Sequence, residues 1–234
     1  MKRALIWLAL LGLVGCAKFP DNGTGTSTRI FVTVTVNGQL QPNLVYIVAM
    51  NFTSENPPTT TGPIPVVAPP WGNGFVAGNA THFVRWDPNA FAPVGYQISK
   101  FQDVALNNWI PIGFPVITEP VPTNGKTLRF AVDLSQLGFT SIEQANLKFC
   151  QLNILTMDRT PTGTDPGNKV WDGLGDSTTI GGINEWINVP LTFSQIYNNV
   201  QGVNNRGLEG ANDLVGPYNP DLDIVSWQVE VQRP

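Results

Sequence analysis

Apolar and polar residues alternate with a period of two from Arg29 to Val36, where Ile30, Val32, Val34 and Val36 share one face. A period of two marks a strand with one buried side, and β-branched residues favour extended backbone. Eight further segments read as strands, each bounded by Gly, Pro or Asn: residues 44–52, 81–87, 96–102, 109–118 (broken at Pro115), 127–134, 147–156, 186–193 and 222–232. In the last, Val225, Trp227, Val229 and Val231 make the apolar face. Asn37-Gly38 predicts a type I′ hairpin turn after the first strand. One short helix is predicted within 135–145, capped at Thr140 or Ser141 with Glu143 in its first turn. About nine short strands with little helix between them predict an all-β fold. The expected architecture is an antiparallel β-sandwich, jelly-roll or immunoglobulin-like, spanning 29–234 as one domain.

Three connections exceed ordinary loop length: 53–79, 157–185 and 198–221. The first holds six Pro and four Gly, with Trp71 in PPWGNG, and the second contains KVWDGLGDS with Trp171. Tryptophan in such a loop needs a cover, either the sandwich itself or a ligand. Folding back on the sandwich is the expected outcome. With nine antiparallel strands, the first and third connections leave one end of the sandwich and the second leaves the other.

Composition narrows the function. Charged residues make up 13% of the chain, with 13 Lys plus Arg against 17 Asp plus Glu and a formal charge of −4, so nucleic acid is a poor partner. Lys2 and Arg3 precede an apolar run from residue 4 to 14, the layout of a secretory signal occupying 1–15. Eleven helical residues reach about 16 Å, too short for a ~30 Å hydrocarbon core. The run ends in Leu13-Val14-Gly15-Cys16, which resembles the lipobox of bacterial lipoproteins. That resemblance implies acylation of Cys16, which becomes the mature N-terminus, and attachment to the membrane by lipid. Ala17, where inner-membrane retention usually shows Asp, implies the outer membrane by the same likeness. Residues 16–28 are small and polar and read as a flexible tether reaching about 20 Å. Acylation of Cys16 leaves Cys150 with no disulfide partner, so stability must come from burial.

Candidate chemistry is sparse. The one histidine, His82, and Cys150 both fall within strands, and no Gly-x-Ser-x-Gly is present, so no catalytic residues are assigned. The thiol and imidazole are too few for zinc. Calcium is the one plausible cofactor, with Asp165, Asp172 and Asp176 spaced among glycines as weak candidates. Asn219, Asp221 and Asp223 have the opening spacing of an EF-hand, but Ile224 stands where its glycine belongs. Trp71, Trp109 and Trp171 fall in loops or at strand ends and are candidate ligand-binding residues for a sugar platform. The expected architecture and the closing DLDIVSWQVEV strand are loosely similar to sandwich carbohydrate-binding modules of the family 9 type. The expectation is a non-enzymatic envelope lipoprotein that binds a polysaccharide or an envelope protein. The rivals are a glycan hydrolase using loop carboxylates and a structural subunit of the cell surface.

Overall fold

A computed structural model describes residues 27–179, 182, 185–199 and 209–234. The expected signal, Cys16 and most of the tether lie outside the described residues. Two antiparallel sheets face each other. The smaller has the order β13 (Gln195–Asn198), β14 (Ile224–Gln232), β1 (Arg29–Val36), β9 (Thr127–Asp133), β8 (Ile117–Thr118). The larger runs β11 (Trp171–Gly173), β10 (Phe149–Met157), β2 (Val45–Thr53), β5 (His82–Trp86), β6 (Tyr96–Phe101), β7 (Trp109–Gly113), with β12 (Ile187–Pro190) also on β10. A two-stranded ribbon, β3 (Pro63–Pro65) and β4 (Val76–Gly78), belongs to the first long connection. The one α-helix among the described residues, α1 (Ser141–Asn146), has the expected capping box: the Thr140 side chain accepts from Glu143 N–H, and the Glu143 carboxylate accepts from Thr140 N–H.

The core lies between the sheets. It takes Ile30, Val32, Val34 and Val36 from β1, meeting Tyr46, Val48, Met50 and Phe52 of β2 and Cys150, Leu152 and Ile154 of β10. Trp86 and Trp227 are buried there as well. A second apolar layer covers the outer face of the larger sheet, because the first long connection folds across it. Phe75 and Val76 pack there on Val45, Ile47, Ala49, Phe83 and Phe101. Both faces of β2 are therefore covered, and its polar Asn51 is buried, donating to Gln151 Oε1 at 2.8 Å. Gln151 in turn donates to Thr60 C=O, and Asn153 to the carbonyls of Pro63 and Glu185. Side chains that alternation alone would turn to solvent hold the long connections in place.

Four expectations are corrected. Asn37-Gly38 is no hairpin turn, since β1 pairs with β14 and β9 while β2 belongs to the other sheet. Asn37 and Gly38 N–H groups donate to Asp223 and Pro220 carbonyls, and a Cβ at Gly38 would stand 2.7 Å from Pro220 C. Close backbone approach, rather than a positive φ, requires this glycine. The strand expected over 186–193 is the shorter β12, and an additional strand, β13, follows it beyond that range after a crossing from one sheet to the other. That additional strand reverses the third long connection. It leaves from the Asn198 end of β13 and returns at Ile224, beside Val36, at the same end as Met157 and the second connection. Finally, a register shift at Thr35/Val36 puts Ile224 in the core instead of Val225.

Candidate functional site

The reversal of the third connection has a chemical result. Asp172 is the middle residue of β11, Asp213 lies in the third connection, and Asp223 directly precedes β14. Trp171 bridges Val215 by two backbone hydrogen bonds, which fixes the connection against β11. One carboxylate oxygen from each of the three aspartates lies within 4.8 Å of the other two, and all three residues are buried. Asp172 Oδ1 accepts from Gly173 N–H and Ser177 Oγ–H, and its Oδ2 from Ile224 N–H at 2.8 Å. Asp223 Oδ1 accepts from Asn212 N–H at 2.9 Å, and its Oδ2 from Asn37 Nδ2 and Tyr218 OH. Asp213 is only 7% exposed, and neither of its oxygens has a hydrogen-bond partner among the described residues. Glu209 joins the group electrostatically. Burial and the Asp213 charge push the Asp172 carboxyl up to about 7, and burial with the Asp223 charge pushes Asp213 up to about 6. Burial and then the Asp172 charge push Glu209 up to about 10.

The cluster shares one residue with the three calcium candidates taken from sequence, which do not come together as a set. Asp165 is ion-paired to Arg159, and Asp176 is exposed, its carboxylate accepting from Thr178 N–H. Only Asp172 joins the buried group. Asp213 was missed because nothing near it in sequence carries a ligand spacing, and only the corrected strand count brings it to Asp172.

The three tryptophans are not on one open face. Trp71 is 1% exposed and donates its indole N–H to Asp165 C=O at 2.7 Å, so the first loop folds back as expected. Trp171 is buried in the outer apolar layer. Trp109 alone is open, 41% exposed at the start of β7, with its ring edge-on to Phe75, Phe83 and Phe101. His82 is fully buried, its ring nitrogens bonded to Thr81 Oγ1 and Leu137 C=O, and burial lowers it to about 4. Cys150 is buried in the main core, and burial pushes its thiol well above the usual range.

A second feature is apolar. Of ten large apolar side chains exposed among the described residues, Val104, Trp109, Ile110, Phe114 and Val116 all fall within 104–116. This stretch contains β7, the edge strand of the larger sheet. Gln102 N–H donates to Asn108 C=O, so by alternation the backbone of Trp109 and Pro111 faces away from β6. Pro111 has no N–H to offer there, which blunts pairing with another strand. Beside it a cleft of about 460 Å³ separates the first connection from the 104–106 turn, lined by Val67, Pro70, Trp71, Val104 and Leu106 among others.

Comparison of the chain with protein-family models, curated proteins and solved structures returns no match. No helix among the described residues is long and apolar enough to cross a membrane.

Proposed function

We propose that this chain is a cell-envelope lipoprotein, acylated at Cys16, whose sandwich is a non-catalytic binding module for an envelope protein. The observation that carries the binding reading is the concentration of exposed apolar side chains in 104–116 beside a cleft lined by Val67, Pro70, Trp71 and Leu106. Exposed apolar side chains gathered along one sheet edge are common at protein interaction sites, and a half-buried tryptophan braced by other rings is a typical anchor. A polysaccharide is the weaker occupant: a platform for sugar rings needs several open aromatic faces, and Trp71 and Trp171 are buried. Against the hydrolase stands the burial of Asp172, Asp213 and Asp223, which face one another inside the fold rather than across a groove. Against strand-to-strand assembly stands Pro111 on the outer edge of β7.

The test is photo-crosslinking in the source cell, with a photoreactive residue in place of Ile110 in the full-length chain. The expected result is one discrete adduct with an envelope protein, lost on Trp109→Ser and absent when the probe replaces exposed Asn188 on β12. Equal adducts from both positions, or none, overturn the reading. Binding of the purified chain to a glycan that disappears with Trp109→Ala overturns the protein occupant in favour of polysaccharide.

A further inference from the structure

Three carboxylates with oxygens within 4.8 Å of one another, buried and without a described cation beside them, need something to hold them together. Hydrogen bonding does part of this. Each carboxylate oxygen has two lone pairs, and the donors around Asp172 and Asp223 leave capacity on Asp172 Oδ2 and Asp223 Oδ1, each with one donor. Neither oxygen of Asp213 makes a well-formed hydrogen bond among the described residues, although the backbone N–H groups of Gly210 and of Asp213 itself are near enough to favour its charged form. It is more than nine-tenths buried, and one of its oxygens lies within 4.8 Å of an oxygen of each of the other two. Burying an unpartnered carboxylate is among the most unfavourable arrangements a protein can adopt, and an ion that all three acids coordinate removes the cost.

We propose that Asp172, Asp213 and Asp223 form a calcium site that clamps the second and third long connections to the start of β14. The donor set is entirely oxygen, with no imidazole or thiolate among the three, which suits a hard cation over zinc or copper. Separations within 4.8 Å are bridged by an ion with metal–oxygen distances of ~2.3–2.6 Å. Calcium accepts irregular geometry from loop-borne carboxylates, whereas magnesium demands a near-ideal octahedron. Asp213 supplies two oxygens, Asp172 Oδ2 and Asp223 Oδ1 one each, and solvent completes the six to eight that calcium takes. Glu209, whose Oε1 is also buried with no hydrogen-bond partner among the described residues, lies at the margin, where burial and the Asp172 charge favour its neutral form. The Ser177, Gly173, Ile224 and Asn212 donors then orient the ligands, as outer partners do in built metal sites. The inference does not depend on the apolar edge at β7, nor on acylation.

Thermal unfolding and calorimetric titration of the purified full-length chain, with calcium chloride or magnesium chloride added after stripping with EGTA, provide the test. The expected result is one calcium per chain. The melting temperature should rise by about 5–10 °C at a hundredfold excess over the dissociation constant, with a smaller rise in magnesium. Asp213→Asn should weaken calcium binding at least tenfold and abolish the rise. In EGTA the same variant should melt at or above the wild type, because one of three mutually repelling charges is gone. Asp165→Asn, at the half-buried acid paired to Arg159, should keep the full rise. If the wild type binds no calcium at 10 mM and its melting temperature does not move, the proposal is overturned. Retention of the full rise by Asp213→Asn overturns it equally. Should Asp213→Asn fail to fold, the wild-type titration alone decides.

Discussion

Replacing Lys169 by methionine should stabilise the protein below pH 7 and make no difference near pH 9. Lys169 is buried between two long connections, with its ammonium donating to Gly74 C=O at 2.8 Å and lying 3.7 Å from Met157 Sδ. It also stands 5.7 Å from the centre of the Trp71 ring. An ammonium has three donors, and one carbonyl with a thioether satisfies them poorly. Burial therefore lowers it to about 7; the Asp158 charge pulls the other way, and Arg159 adds to the lowering. The unfolded value is about 10.4. Below pH 7 the lysine is charged in both states and the burial cost is present in full. Between pH 7 and 10 the native state releases the proton while the unfolded chain keeps it. Stability from this group then rises by about 1.4 kcal/mol per pH unit. The difference from 10.4 amounts to roughly 3–5 kcal/mol at low pH, from which the lost bond to Gly74 C=O removes about 1–2 kcal/mol. The net expectation for Lys169→Met is a gain of about 2–3 kcal/mol at pH 6, fading to near zero by pH 9. Urea unfolding of both chains from pH 6 to 9 measures it. The acids near Asp172 titrate in both chains, so the difference isolates the lysine. A difference that is flat with pH, or a variant less stable than wild type at pH 6, refutes the reasoning.

Two further outcomes follow from burial. Trp71→Ala should cost about 3–5 kcal/mol by opening a cavity under the first connection, whereas Trp109→Ala, at a half-exposed ring, should cost about 1–2 kcal/mol; chemical denaturation compares them. His82 should titrate with a midpoint near 4, followed by NMR on the chain's only imidazole. Because its native pKa lies below the unfolded value, stability should fall as pH drops from about 6.5 to 4, by roughly 1.4 kcal/mol per unit. A midpoint near 6.5 would mean that the ring is not held neutral under Leu137.

Much of the sandwich was legible in the sequence because strand periodicity is a local property. The faces of β1, the extent of β2, the break at Pro115 and the cap at Thr140 all follow from a few adjacent residues. Pairing is not local. Asn37-Gly38 has the chemistry of a tight hairpin, yet its surroundings send β1 and β2 to different sheets, and Gly38 serves the approach of the Pro220 backbone instead. The strand β13 escapes notice because four residues that follow a crossing of only a few leave no clear mark in the hydrophobic pattern. Missing that crossing put the third connection at the wrong end and hid the meeting of Asp213 with Asp172. Asn51, Gln151 and Asn153 illustrate the same limit: alternation marks them as outward-facing, and only the loop laid over them makes them buried struts.

The envelope setting on which the proposed function rests is tested most directly by mass spectrometry of the chain isolated from its source membrane. The account predicts that the first residue is Cys16, carrying the mass of a diacylglycerol and an amide-linked acyl chain, and that Cys16→Ser releases the chain from the membrane fraction. An intact Met1, or an unmodified thiol at position 16, contradicts it.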